Sequence, residues 1–222
     1  MQIFCDFDGT ITTLDTTDHV LTRLASPAWE ELEADWCAGR MDAASCMRGQ
    51  IALLQGDNAA LDAVLDEVGL APGFRDFVDW CAVSAIPLTI VSDGVDYFIR
   101  RILARHDVAD LPVVSNKLAG RAGARRLAQP HRRDGCAAGA GVCKCEVTRR
   151  RQGPSRGRPA LVYIGDGRSD FCVSARADVL FAKDVLADYA ERRGQSHHPF
   201  STFHDVLAVL QPLARARRAA AQ

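Results

Sequence analysis

Short apolar runs that stop at acidic or glycine residues alternate, along this chain, with longer stretches whose apolar positions recur every three or four residues. The runs at 3–5, 85–91, 112–115, 160–164 and 179–182 have the length and β-branched content of buried strands. Helical periodicity covers 17–24, 27–38, 43–54 and 59–68, with breaks at Ser26-Pro27, Gly39 and Gly56-Asp57-Asn58. It returns at 73–83, 96–105, 185–193 and 203–217. The Gly- and Arg-rich stretch 120–159 reads as irregular except around Lys144. Strands alternating with helices predict an α/β fold, a doubly wound, mostly parallel sheet. The strand-free stretch divides the chain into 1–14 plus 72–222, which form the sheet core, and a helical insertion at 15–71 after the first strand.

At 222 residues and 48% hydrophobic content the chain is one large or two small domains. A formal net charge of −1 gives no reason to expect nucleic acid or an anionic membrane as a partner. The basic stretch Arg149-Arg150-Arg151, with Arg156 and Arg158, is broken by Gly153, Pro154 and Gly157 and reads as a solvated loop. No apolar run has membrane-spanning length, and a strand starting at residue 2 or 3 leaves no room for a signal peptide, so the expected location is cytoplasmic.

Chemistry enters with Asp6-Phe7-Asp8-Gly9-Thr10, set directly behind the first strand. Carboxylates two residues apart leave a strand end on the same side. At about 4 Å and an effective dielectric of about 20 they repel by about 4 kcal/mol, a penalty that a hard cation such as Mg²⁺ removes. Gly9 permits a tight turn whose N–H groups, with Thr10, are candidates to meet an anion. Taken alone, the pentapeptide also fits an acidic helix cap. Three further parts favour a phosphate site. A second strand stops at Ser92-Asp93-Gly94, offering a hydroxyl and a turn glycine. A third runs into Gly165-Asp166-Gly167-Arg168-Ser169-Asp170, where Asp166 can complete a metal's carboxylate set. The last part is a cation. Of 27 basic residues only Lys117, Lys144 and Lys183 are lysines, so each ammonium invites a specific reading.

With these parts in order the sequence resembles the haloacid dehalogenase superfamily of aspartyl-phosphate hydrolases. Asp6-x-Asp8-Gly9-Thr10 is similar to its first motif, Ser92 to its second, Lys144 to its third and Gly165-Asp166-Gly167-x-Ser169-Asp170 to its fourth. The resemblance implies a Rossmann-like core with a small helical cap at 15–71. It implies Asp6 as nucleophile and Asp8 as general acid and base, with Mg²⁺ on Asp6, Asp8 and Asp166. Ser92 and Lys144 would hold the phosphoryl oxygens, with Gly9, Thr10, Asp93 and Gly94 around phosphate or substrate. Asp170 would orient Lys144 or a metal water. Lys117, in Ser115-Asn116-Lys117 at another strand exit, competes for the third motif; Lys144 is preferred because it opens a helix-like segment before the fourth-motif strand.

Within the superfamily the chain resembles the phosphoserine-phosphatase-like branch, and there the methylthio-ketopentenyl-phosphate phosphatases of methionine salvage. The shared features are Cys5 to Thr12, Asp96-Tyr97-Phe98, the Cys-rich approach to Lys144 and Phe181-Ala182-Lys183-Asp184. Asp93 departs from the glycine of that branch and matches the Ser-Asp of phosphocholine and phosphoethanolamine phosphatases. An extra carboxylate there favours a cationic or polyhydroxyl leaving group. The expected function is Mg²⁺-dependent hydrolysis of a small phosphorylated metabolite by a monomer or homodimer. A phosphoacceptor signalling module and a phosphomutase are the alternatives.

Eight cysteines without an export signal do not read as a disulfide framework. Cys5, Cys37, Cys81 and Cys172 lie in apolar segments and are expected as buried thiols. His131, Cys136, Cys143 and Cys145 either hold a structural Zn²⁺ or are free; the lack of a Cys-x₂-Cys knuckle favours free thiols. Thr16, Thr17 or Asp18 is expected to cap the insertion's first helix, and Trp29, Trp36 and Trp80 read as helix-face core.

Overall fold

The alternation of Ile3 and Cys5 against Phe4 in the first strand separates two hydrophobic layers, one on each face of a sheet. The computed structural model describes residues 1–153 and 158–219; Pro154, Arg156 and Gly157 of the basic stretch lie outside them. Among the described residues the strands are β1 (Gln2–Cys5), β2 (Leu88–Val95), β3 (Val113–Ala119), β4 (Arg126–Ala128), β5 (Leu161–Gly165), β6 (Val179–Ala182) and β7 (His198–Pro199). They form one sheet in the order β4-β3-β2-β1-β5-β6-β7, parallel except for the β3/β4 hairpin.

The helices are α1 (Thr16–Leu24), α2 (Trp29–Cys37), α3 (Ala43–Ala52), α4 (Asn58–Leu65), α5 (Phe74–Val83), α6 (Asp96–Arg105), α7 (Lys144–Gln152), α8 (Phe171–Ser174), α9 (Asp184–Arg192) and α10 (Phe203–Ala219). Phe74, Phe77, Phe98, Ile102 and Phe203 bring α5, α6 and α10 onto the face of Ile3 and Cys5. Val147, Val173 and Leu186 bring α7, α8 and α9 onto the face of Phe4 and Tyr163. Helices on both faces of a parallel sheet make the predicted doubly wound α/β fold.

Four helices, α1 to α4, occupy residues 15–71, where the sequence predicts them, and α5 follows before β2. The cap of α1 differs: Asp15 accepts from the Asp18 N–H at 3.0 Å, so the capping side chain lies one residue before the expected positions. Asp42 and Asp57 cap α3 and α4 in the same way. The irregular stretch after β3 contains β4, and its loop grips α3. Gly139 C=O accepts from Ala44 N–H at 2.8 Å, and Gln129 donates to Ala44 C=O at 3.0 Å. Two-residue β7 pairs with β6 at the sheet edge. No helix among the described residues is long and apolar enough to cross a membrane.

Candidate active site

β1 lies at the centre of the sheet, where the strand order reverses, and Cys5 is in register with Ile90 of β2 and Ile164 of β5. The residues that follow β1 and β5, and the last residues of β2 from Ser92 on, therefore meet in one crevice at the strands' carboxyl ends. Asp6, Asp8, Ser92, Asp93, Gly94 and Asp166 all line a cavity of about 430 Å³ there. Its roof comes from α1, α2 and α3 through Asp18, Glu33, Trp36, Cys46 and Met47.

Lys144 starts α7, is fully buried, and lies 2.7 Å from Asp6 Oδ2 and 2.6 Å from Asp170 Oδ1. Burial pulls its proton off, but Asp170 and Asp6 outweigh burial and hold the ammonium far above its ordinary range. Lys117 lies on β3, pairs with Asp96 at 3.3 Å near the surface, and takes no part.

Asp170 is committed on both oxygens. Oδ1 accepts from Lys144 and the Tyr163 hydroxyl, and Oδ2 from the N–H groups of Asp166 and Gly167 at 3.1 and 3.2 Å. It orients Lys144 and ties the fourth-motif loop together, and it does not belong to the cavity wall that Asp6, Asp8 and Asp166 line.

Asp8 accepts from Thr16 N–H at 3.1 Å and from the Ser92 hydroxyl at 3.4 Å, and Gly94 N–H donates to Ser92 Oγ at 2.8 Å. Burial, then the Asp15 charge, push Asp8 up to about 7 against the opposing Thr16 hydrogen bonds. Burial and Asp170 push Asp166 up to about 6, and the same two causes raise Asp6 in spite of Lys144.

Three crevice carboxylates raised by burial and mutual repulsion, with one ammonium among them, leave excess negative charge that a cation would relieve. Among the described residues, Asp6, Asp166 and Asp170 form the one group of His, Cys, Asp or Glu whose ligand atoms all lie within 4.8 Å. The donors are all oxygen, the set that a hard divalent ion takes.

The smaller residues of the first motif act on the loop. Gly9, at φ +69°, spends its N–H on Leu14 C=O and Thr12 Oγ1, and a Cβ there would collide with Asp166. Thr10 donates to Asp166 Oδ1 at 2.6 Å. Neither lines the cavity. Asp93 reaches it, yet its Oδ1 accepts from Val142 N–H at 2.8 Å and Asn116 Nδ2 at 3.1 Å, so this carboxylate also fixes the loop leading into Lys144.

Sequence reasoning missed Met47 and Arg168 and favoured a core role for Trp36. Trp36 is cavity wall, with the Arg168 guanidinium 5.7 Å from its ring centre, a bridge from α2 to the fourth-motif loop. Apolar periodicity does not separate a wall residue from a core residue. The zinc alternative is not supported: His131, Cys136, Cys143 and Cys145 bring no such ligand group together among the described residues, and Cys145 lies 3.1 Å from Cys172. Cys5 and Cys81 are buried as expected, whereas Cys37 is exposed and Cys172 partly so.

A family model for haloacid dehalogenase-like hydrolase matches residues 3–174. A 2-hydroxy-3-keto-5-methylthiopentenyl-1-phosphate phosphatase of Brevibacillus brevis is 34% identical over 214 residues, covering 95% of this chain and 95% of its own. One of Geobacillus kaustophilus is also 34% identical, over 95% of this chain and 96% of its own. Among solved structures, a phospho-aspartyl intermediate analogue of phosphoserine phosphatase superposes with a TM-score of 0.69 at 16% identity, over 93% of this chain and 97% of that one. Cytosolic 5′-nucleotidase IIIB bound to cytidine gives 0.68 at 15% identity, over 99% and 86%. These two likenesses concern the fold. The four motifs, the crevice into which the strands deliver them and the match across residues 3–174 agree, and the chain belongs to the haloacid dehalogenase-like hydrolases.

Proposed function

We propose that this chain hydrolyses a small phosphomonoester in two steps through an aspartyl phosphate on Asp6. The observation that carries the reading is Asp6 held by buried Lys144 at a 430 Å³ cavity that also receives Asp8, Ser92 and Asp166.

Asp6 attacks phosphorus in line, forming a carboxylate O–P bond as the ester P–O bond breaks, and Asp8 gives its proton to the departing alkoxide. Water then attacks phosphorus while Asp8 takes its proton, the O–P bond to Asp6 breaks, and inorganic phosphate leaves. An Asp8 that titrates at about 7 suits both halves, because neutral pH populates acid and base alike. Two of the three Lys144 donors are used by Asp6 and Asp170, which leaves one for a phosphoryl oxygen. Ser92 offers its hydroxyl to a second oxygen. Asp6, Asp166 and the Asp8 carbonyl would hold Mg²⁺, which when bound neutralises charge on the phosphoryl group. Residues 15–71 act as the cap that excludes water and selects the leaving group.

The relatives named above support a methylthio-ketopentenyl phosphate as substrate, and the Trp36, Cys46 and Met47 wall suits an alkylthio tail. Asp18 and Glu33, which also line the cavity, favour an amino-alcohol phosphate as the second reading. The four-helix insertion supports hydrolysis over a phosphoacceptor module, and we place the enzyme in the cytoplasm, without nucleic-acid or membrane partners. A panel at fixed Mg²⁺ tests this: the methylthio-ketopentenyl phosphate, phosphoserine, phosphoethanolamine, phosphocholine, a sugar phosphate and a nucleotide. The small phosphates should rank above the nucleotide; a nucleotide in first place would overturn the substrate class. Single-turnover labelling without release would point to a phosphoacceptor module, and a bisphosphate requirement to a mutase.

A further inference from the structure

The starts of two helices that bring the charged pair beneath the site also bring a pair of thiols together. Lys144 and Cys145 open α7, while Asp170 immediately precedes α8, which contains Cys172. The Cys145 thiol donates to the Cys172 sulfur at 3.1 Å, and both residues are partly exposed. We infer that Cys145 and Cys172 are a modification site, a reversible disulfide that forms in response to a peroxide and lowers turnover by disturbing Lys144.

Several observations select this pair among eight cysteines. Cys143 lies 3.7 Å from Cys145 but has no exposure and is only two residues away in the chain. Cys136 neighbours Cys143 and so sits at the far end of the row. No His, Asp or Glu joins these sulfurs in a ligand cluster among the described residues, so redox chemistry is the chemistry that the group offers. The direction of the hydrogen bond also divides the roles: the Cys145 thiol donates and the Cys172 sulfur accepts, as a thiolate does. Cys172 is the thiolate that reacts first, and Cys145 resolves.

The step balances with one peroxide. The Cys172 thiolate attacks a peroxide oxygen; an S–O bond forms, the O–O bond breaks, and the released hydroxide takes a proton and leaves as water. Cys145 then loses its proton and attacks the Cys172 sulfur; the S–S bond forms, the S–O bond breaks, and a second water leaves. Two thiols give up two electrons and the peroxide is reduced to two waters. A dithiol reverses the bond by exchange.

Closing the sulfurs from 3.1 Å to the roughly 2.05 Å of a disulfide is a movement of about 1 Å, shared between rotation of the two side chains and displacement of α7 against α8. Lys144 is adjacent to Cys145 and is held by short contacts to Asp6 and Asp170. Misplacement on that scale is enough to slow chemistry by one or two orders of magnitude.

The test treats reduced full-length protein with hydrogen peroxide, blocks free thiols with an alkylating agent, and maps peptides without reduction. A Cys145–Cys172 peptide is expected. With it, turnover of p-nitrophenyl phosphate should fall about tenfold and return on adding dithiothreitol. Cys172→Ser should show neither the peptide nor the fall, and Cys145→Ser should retain a sulfenic acid at Cys172 that dimedone traps. Both cysteines alkylated after peroxide, a disulfide mapped to other cysteines, or an equal loss of turnover in Cys172→Ser overturns the inference. The turnover arm rests on the phosphatase reading while the peptide map does not, so failure of one is distinguishable from failure of the other.

Discussion

The ammonium of Lys144 stands 2.7 Å from the carboxylate of Asp6, with the lysine fully buried and the aspartate 5% exposed. A buried charge survives there because each partner is the other's solvent. Lys144→Ala should therefore cost about 3–5 kcal/mol of stability, by leaving Asp6 and Asp170 unpaired, and abolish turnover. Lys117→Ala, which removes an outer pair with Asp96, should change stability by about 1 kcal/mol or less and leave turnover intact. Denaturant titration and p-nitrophenyl phosphate assays of both variants check this. A dead Lys117 variant beside an active Lys144 variant would reverse the assignment.

The strand ends bearing Asp6, Ser92 and Asp166 were legible because buried apolar runs announce where a parallel sheet delivers its next residue. The rarity of lysine in an Arg-rich chain narrowed the cation to Lys117, Lys144 and Lys183, and the helix-like segment before the fourth-motif strand singled out Lys144. What held the site together was harder to read. Asp93 meets Val142, and Gly139 meets Ala44, through single hydrogen bonds between residues far apart in the chain, and such bonds leave no periodicity behind. Cys172 seemed an ordinary buried thiol because its partner lies on another helix. The tyrosine hydroxyl beneath Asp170 was hidden for the opposite reason, since Tyr163 fits the apolar strand in which it sits.

Metal and pH should act together on stability. Asp8 and Asp166 keep their protons up to about 7 and about 6 in the fold, against an ordinary 3.8. Between those values the folded chain binds more protons than the unfolded chain. The stability that these groups contribute is thus present near pH 4 and lost as pH rises through 6 and 7. A cation binds the deprotonated carboxylates and should restore what was lost. In thermal melts, Mg²⁺ should raise Tm more at pH 8 than at pH 5.5, and Asp166→Asn should remove most of that difference. An equal Mg²⁺ increment at both pH values would detach the metal from these carboxylates.

Gly94 is required by space. A Cβ at this position would collide with the Asp8 carboxylate and the Ser92 hydroxyl. Gly94→Ala should fold, at a cost of about 1–3 kcal/mol from overpacking, while displacing the proton-transfer group. The expected loss in kcat is about a hundredfold, with a much smaller effect on Tm than Lys144→Ala. Wild-type kcat in a well-folded Gly94→Ala protein would mean that Asp8 tolerates displacement and is not the acid.

Asp6 and Asp8 differ in environment, and the difference predicts their division of labour. Burial and Asp170 raise Asp6, but the Lys144 ammonium at 2.7 Å opposes them and favours the ionised form that a nucleophile needs; Asp8 makes no ion pair among the described residues and titrates near neutrality. Asp6→Asn should lose all turnover, since an amide cannot form the aspartyl phosphate. Asp8→Asn retains the nucleophile but cannot move a proton. Protonation matters most for a strongly basic alkoxide and least for nitrophenolate, which leaves without help. Asp8→Asn should therefore fail on alkyl phosphates at the first step, yet react once with p-nitrophenyl phosphate and stall, because activation of water is impaired too. Rapid mixing should show a burst of nitrophenolate near one equivalent, and peptide mapping should find the phosphoryl label on Asp6. Equal residual steady-state rates on both ester types, or a label on Asp8, would show the two roles to be reversed or shared.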